Sequence, residues 1–303
     1  MTAIETLQDA DRVLFPGFES RRLQGDGAEL HAVIGGSGPP LLLLHGYPQT
    51  HVMWHKIAPR LAERYTVVCT DLRGYGDSAK PDGGERSVNY SKRAMAADQV
   101  AAMRSLGFTR FMLTGHDRGA RVAHRLCLDH PGAVERVAVL DISPTRIMYG
   151  NTDKAFASAY YHWFFLIQPF DLPERLIGAD PAYYLRKKIG SWSGGLGYFD
   201  PRALAEYERC FGNPATIHAT CEDYRAAAGI DLEHDAADER ARIACPLLAL
   251  WGAQGVVNRL FDPIADWESV ATEVEGRALP TGHFLAEEAP DETLAELQGF
   301  FGA

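Results

Sequence analysis

Phe111-Met112-Leu113-Thr114-Gly115-His116-Asp117-Arg118-Gly119-Ala120-Arg121 is the stretch on which the fold turns. An apolar run enters it, a helix-compatible run leaves it, and two glycines bracket one carboxylate. The pattern glycine, any residue, nucleophile, any residue, glycine marks a sharp strand-to-helix turn that holds its central side chain exposed at the end of a sheet. Glycines flank such a turn because its tightness leaves no room there for a Cβ atom. The central residue is Asp117, not serine or cysteine. A serine displacing a group from an sp³ carbon would be left as an ether, which water cannot open. A carboxylate is left as an ester, which water opens at its carbonyl. An aspartate here suits displacement at carbon, with a halide or an epoxide oxygen leaving. On this segment alone the plainer alternative, an aspartate that only caps the following helix, stays open.

Outward from this turn, short apolar runs recur at 41–44, 66–70, 111–114, 137–142 and 247–251. Each is apolar on both faces, as expected for parallel strands covered by helices. Ala96, Val100, Met103 and Leu106 share one helical face between two of these runs, and Gly107 is a natural stop. Strand alternating with helix, with no repeat period, predicts an α/β fold with a mostly parallel, doubly wound sheet. Ligands in such folds sit at the carboxyl ends of the strands. The rhythm breaks over 144–230, which carries no sheet-like run and is rich in aromatics and prolines. That interval is expected to be a helical cap inserted into a core domain built from 1–143 and 231–303. A second independent domain is the less favoured alternative, because strand-like chain resumes at 245–251.

Composition narrows the function. The 303 residues are 46% hydrophobic and 23% charged, which excludes a disordered chain. A net charge of −10 offers no basic footprint for nucleic acid or an acidic membrane. The polar, acidic start and the absence of a long apolar run predict neither signal peptide nor membrane span. Five cysteines without CxxC spacing argue against a disulfide framework or a cysteine zinc site, and suit a cytoplasmic location. No Walker-type loop, HExxH or complete dinucleotide fingerprint is present, so no metal or organic cofactor is expected.

A nucleophilic aspartate needs a base for ester hydrolysis, and the base needs an orienting acid. Among eleven histidines, His283 in Gly282-His283-Phe284 follows the expected last strand. It also fits the chain order nucleophile, acid, base. No carboxylate follows the run 247–251, but Asp141 ends the preceding strand and is assigned as the acid; Asp262 is the weaker competitor.

These residues carry a family resemblance. His45-Gly46-Tyr47-Pro48-Gln49, Asp71-Leu72-Arg73-Gly74-Tyr75-Gly76-Asp77-Ser78, the turn and Gly282-His283-Phe284 resemble the α/β-hydrolase branch that holds haloalkane dehalogenases and epoxide hydrolases. The string His116-Asp117-Arg118-Gly119-Ala120-Arg121 is more telling and is similar to haloacetate (fluoroacetate) dehalogenases; the other two groups more often carry tryptophan at the Arg118 position. The likeness continues into the interval 144–230 at Tyr161-His162-Trp163 and Cys221-Glu222-Asp223-Tyr224-Arg225-Ala226. It runs from about Phe15-Pro16-Gly17-Phe18 to the end.

The resemblance implies an α/β-hydrolase fold and hydrolysis of a small anionic haloacid through an aspartyl ester, by a homodimer. Asp117 would be nucleophile, His283 base and Asp141 its partner. Arg118 and Arg121 would bind the substrate carboxylate, and His162, Trp163 and Tyr224 the departing halide. Independently, Arg118 and Arg121 stand at i and i+3 on one helical face, and forked guanidiniums match a carboxylate. Their position in the first turn opposes the helix dipole and suggests an anion nearby. The amides of Tyr47 and Arg118 are candidates for an oxyanion hole, and Trp192 for the pocket wall. Two alternatives remain: an epoxide hydrolase using the same Asp117, His283 and Asp141, and a non-catalytic small-molecule receptor on this fold.

Overall fold

In the computed structural model, which describes residues 10–302, one eight-stranded sheet organises the chain. The strands are β1 (Glu19–Gln24), β2 (Glu29–Gly35), β3 (Pro40–Leu44), β4 (Thr66–Thr70), β5 (Phe111–His116), β6 (Val134–Leu140), β7 (Leu247–Gly252) and β8 (Val274–Leu279). Their order in the sheet is β1-β2-β4-β3-β5-β6-β7-β8. β1 and β2 run antiparallel to their neighbours, and the other six strands are mutually parallel. β3, β5 and β6 are buried along most of their length. The flanking strands read differently. β1 is almost entirely exposed and β8 carries charge at Glu275 and Arg277, so neither offers the apolar run by which the central strands are recognised.

Register fixes where chemistry can happen. Leu44 pairs with Gly115, His116 with Leu140, Leu140 with Leu250, and Gly252 with Leu279. The carboxyl ends of β3, β5, β6, β7 and β8 are therefore level, and the residues just beyond them share one rim. Tyr47, Asp117, Asp141 and His283 all follow such ends.

Helices α1 (Lys92–Ser105) and α2 (Arg118–Asp129) pack together beside the sheet, and α2 leaves β5 with only Asp117 between. Between β6 and β7 the chain is helical throughout its ordered elements, from Thr145–Gly150 to Ile230–Ala237. This interval includes α3 (His162–Phe165), α4 (Pro181–Trp192) and α5 (Pro214–Ala228). Its apolar side chains, among them Trp163, Leu185 and Tyr224, join the same hydrophobic cluster as the sheet. No helix among the described residues is long and apolar enough to cross a membrane.

The turn from β5 to α2 is as tight as its glycines imply. A Cβ on Gly119 would lie 2.3 Å from the His45 carbonyl oxygen and 2.4 Å from that of Leu44, which places α2 directly against the end of β3. Both obstacles are backbone and cannot swing aside. Gly119→Ala should therefore destabilise the fold by about 3 kcal/mol or more, read by urea unfolding. A loss below about 1 kcal/mol would contradict this packing.

Candidate active site

Asp117 sits at φ 47°, ψ −113°, a backbone conformation that is strained for any residue with a side chain. It occupies the helix N-cap position yet makes no capping hydrogen bond with its side chain. Instead Oδ1 accepts a hydrogen bond of 2.8 Å from the Tyr47 amide. Gly46 permits this approach, since a Cβ there would lie 2.4 Å from the Asp117 Cβ. The Arg118 amide is the first of α2. Burial alone would raise the Asp117 carboxyl, but His283, His116, Arg118 and Arg121 outweigh it and hold it below the ordinary carboxylate value. The carboxylate is thus buried, ionised and oriented.

His283 and Asp141 lie 142 residues apart in sequence and meet at 2.6 Å, His283 Nδ1 to Asp141 Oδ2. Asp141, itself at φ 51°, also accepts from the Gly252 amide at 2.9 Å, so its carboxylate is fixed at both oxygens. Asp262, the competing acid, instead caps the helix Pro263–Glu268 by accepting from the Ala265 amide at 3.2 Å. Burial alone would lower His283, but the hydrogen bond and charge of Asp141, with the charge of Asp117, raise it above its ordinary value. His283 Nε2 stands 4.0 Å from Asp117 Oδ2 and has no hydrogen-bond partner. Neighbouring His116 is pushed down to about 3, by burial first and His283 second, and is neutral.

The two arginines are held in contrasting ways. Arg118 donates from Nε and Nη2 to the Asp223 carboxylate at 2.8 and 2.7 Å, and from Nη2 to the Asp223 carbonyl at 2.9 Å. Its third nitrogen, Nη1, is buried without a partner. Arg121 donates to the Ser143 carbonyl at 3.2 Å and Thr145 Oγ1 at 2.8 Å, and its Nε is unpartnered. Among the described residues no carboxylate is in ion-pair contact with Arg121, although its residue is only 3% exposed. Burial and Arg118 press its ionisation downward, but a guanidinium in a protein remains charged. One formal positive charge therefore lies buried here with no acid in ion-pair contact, although the charge of Asp117 reaches it.

Facing these groups are the aromatic side chains of 144–230. Arg118 Cζ lies 4.2 Å from the Tyr224 ring centroid, and Arg121 Cζ 4.7 Å from that of Trp163. The His162 ring is 5.5 Å from Tyr224 and 4.5 Å from Trp192, and Trp192 is 5.5 Å from His283. The Trp192 carbonyl also accepts the His283 amide at 2.8 Å, tying the end of α4 to the histidine. Tyr224 Oη and His162 Nδ1 are buried without partners. Burial raises the Tyr224 hydroxyl well above its ordinary value, so it stays a donor. Burial and then Lys188 hold His162 well below its ordinary value, so the ring is neutral. A cleft lined in part by Tyr160, Trp192, Gln254, Arg259 and His283 opens onto the histidine. The structure thus gathers Asp117, His283, Asp141, Arg118, Arg121, His162, Trp163, Tyr224, Trp192 and the Tyr47 amide in one place.

Sequence reasoning missed the groups that hold these in position. Asp223 receives Arg118, the Tyr75 hydroxyl at 2.6 Å and the Lys92 ammonium, all buried. Only its place beside Tyr224 could have drawn notice. Tyr149, with a buried unpartnered hydroxyl, packs 4.8 Å from Trp163 and within the influence of both arginines. Lys188, driven down to about 7 by burial, lies 3.4 Å over the Tyr161 ring.

Residues 39–290 match the family described as alpha/beta hydrolase fold. The chain is an α/β hydrolase. It is 47% identical to fluoroacetate dehalogenase of Burkholderia sp over 288 residues, 95% of each chain. It is 35% identical to soluble epoxide hydrolase of Corynebacterium sp. (strain C12) over 280 residues, 91% of this chain and 94% of the other. Among solved structures, a Nostoc sp PCC 7120 protein assigned provisionally to the α/β hydrolases superposes with a TM-score of 0.93 at 59% identity, covering 94% of this chain and 98% of that one.

Within this α/β hydrolase, Asp223 balances Arg118 and shares Lys92 with Asp231, whose Oδ2 lies 3.5 Å from the ammonium. Asp223→Asn should lower the unfolding free energy by about 3–5 kcal/mol, as expected when one member of a buried pair is removed. Denaturation at neutral pH measures it, and a change under about 1 kcal/mol would show that the cations are balanced elsewhere.

Proposed function

We propose that this α/β hydrolase is a haloacetate dehalogenase, converting a small 2-haloacid and water to the 2-hydroxyacid and halide. The observation that carries the proposal is the Arg118–Arg121 pair. A buried guanidinium without an acid partner is costly in the free protein and is relieved by an anion. The unpartnered Arg118 Nη1 and Arg121 Nε offer that anion hydrogen bonds beside the carboxylate of Asp117. A substrate carrying its own carboxylate fits; a neutral epoxide leaves both nitrogens unsatisfied. The 47% identity to a fluoroacetate dehalogenase supports the same choice.

The mechanism follows from which Asp117 oxygen is free. Oδ1 is held by the Tyr47 amide, so Oδ2 attacks the substrate α-carbon in line with the carbon–halogen bond. The halide departs toward His162, Trp163 and Tyr224, whose N–H and O–H groups stabilise charge that grows only as the bond breaks. His162 is neutral and so carries one ring N–H. The product of this step is an ester between Asp117 Oδ2 and the substrate carbon.

Ester hydrolysis uses the other half of the site. At 4.0 Å, His283 Nε2 is too far from Oδ2 to hydrogen-bond to it and is free to take a proton from water. The resulting hydroxide adds to the Asp117 carboxyl carbon. Charge develops on Oδ1, where the Tyr47 amide already points and the Arg118 amide would be the second donor. Collapse expels the 2-hydroxyacid with Oδ2, and Asp141 stabilises the His283 imidazolium until the proton returns.

Purified protein should release fluoride from fluoroacetate, read with a fluoride electrode. His283→Asn should release about one halide per active site and then stop, with the ester visible by mass spectrometry, because displacement needs only ionised Asp117. Epoxide opening without halide release would replace this proposal with the epoxide hydrolase reading. Sustained turnover by His283→Asn would move the base to another residue.

A further inference from the structure

Four buried polar side chains outside the catalytic set converge from four separate stretches of chain. Asp11 precedes β1, His31 lies in β2, His51 opens the 3-10 turn His51–Trp54, and Asp71 follows β4. Their exposures are 5%, 4%, 1% and 0%. Asp11 Oδ1 is 3.0 Å from His51 Nε2, and Asp11 Oδ2 is 3.0 Å from His31 Nε2. The three ligand-type atoms of Asp11, His31 and His51 all lie within 4.8 Å of one another. The mechanism above uses none of them.

Two details set this cluster apart from an ordinary hydrogen-bonded core. His31 Nε2 is buried with no hydrogen-bond partner: its 3.0 Å approach to Asp11 lacks the alignment of a hydrogen bond. It nevertheless reaches into the cluster. The second detail is the orientation of His51. Asp71 Oδ1 lies 2.9 Å from His51 Nδ1 and also accepts the His51 amide at 2.8 Å. The other ring nitrogen, Nε2, faces Asp11 Oδ1 across 3.0 Å, so a carboxylate stands at each nitrogen of the ring. Against its burial, Asp71 and Asp11 raise His51 well above its ordinary value, so a proton holds that gap in the free protein and a bound cation would displace it. A carboxylate behind one imidazole nitrogen is also how metal-ligating histidines are oriented.

We propose that Asp11, His31 and His51 bind one divalent transition-metal cation of the zinc class, with Asp71 orienting His51. Two imidazole nitrogens and one carboxylate oxygen suit zinc, cobalt or nickel; magnesium and calcium prefer an all-oxygen set. Ser20, exposed on β1, donates to Asp11 Oδ2 at 2.6 Å, so the site lies one side chain from solvent. The bound cation ties the segment before β1 to the turn that closes the Tyr47 loop. Its role is stability and not chemistry.

The test is uptake by the full-length chain after chelator treatment. Cobalt(II) should give visible d–d absorption that saturates at one equivalent, and zinc should displace it. Zinc at a hundredfold excess over Kd should raise Tm by roughly 5 °C or more, because only the folded state holds the site. His31→Gln, which removes a nitrogen making no hydrogen bond, should fold and weaken cobalt binding on the order of 100-fold. Cys210→Ser alters the other candidate ligand group, Asp77, Glu206 and Cys210, whose carboxylates are already paired with Arg209. It should bind as the unmodified chain does. No cobalt spectrum and an unchanged Tm would show that the proton keeps the gap and would overturn the proposal. Full-strength binding by His31→Gln would overturn it equally.

Discussion

A carboxylate is buried at the end of β5, on a backbone turn that no ordinary residue adopts freely, and is kept ionised there. The rest of the molecule can be understood as what that arrangement demands. The turn requires glycines at 115 and 119, because a Cβ at 115 would strike the backbone of Gly119 and Ala120 and one at 119 that of Leu44 and His45. It also brings Asp117 within reach of the Tyr47 amide, which fixes one carboxylate oxygen and leaves the other free. The strain at φ 47° is supported by a sheet whose central strands are buried on both faces. Rigidity of the sheet and precision at the carboxylate are one property.

Burial of an anion must be answered by positive charge, and the chain supplies more than Asp117 alone uses. Asp223 takes up Arg118 and Lys92, leaving Arg121 without an acid of its own. This imbalance distinguishes the site from a pocket for a neutral substrate. On the proposed reading, a carboxylate-bearing ligand would complete a charge arrangement that the free protein leaves open, and binding energy would be directed at orienting the substrate carbon over Asp117 Oδ2. In the proposed dehalogenation the neutral donors His162, Trp163 and Tyr224 would have a separate task, meeting charge only as the halide leaves.

Legibility in the sequence followed burial and locality. The turn at 115–119 could be read because its constraint is written in adjacent residues. The central strands could be read because parallel strands buried on both faces are continuously apolar. β1 and β2 were not anticipated, and β8 only as a last strand before His283, without bounds. β1 is exposed at five of its six residues, so burial leaves no pattern in its sequence. The assignment of Asp141 over Asp262 could be made from its place at the end of a strand, and the level strand ends are what bring it to His283. Asp223, Lys92 and Tyr75 were out of reach: they come from three elements and have meaning only because each meets a charge or hydroxyl brought by the fold. The same holds for Asp11, His31 and His51, which show no motif spacing, and for Asp71, whose own motif points to none of the three.

The central claim is that Asp117 itself supplies the oxygen that reaches the product. A single turnover in ¹⁸O-water, with enzyme in excess over fluoroacetate, tests it most directly. Water adds to the Asp117 carboxyl carbon and glycolate leaves with Oδ2. The label should therefore be found in the Asp117 side chain after proteolysis and mass spectrometry, and the first glycolate should be unlabelled. Solvent oxygen in that first glycolate would mean that water attacks the substrate carbon directly, contradicting the role given to Asp117.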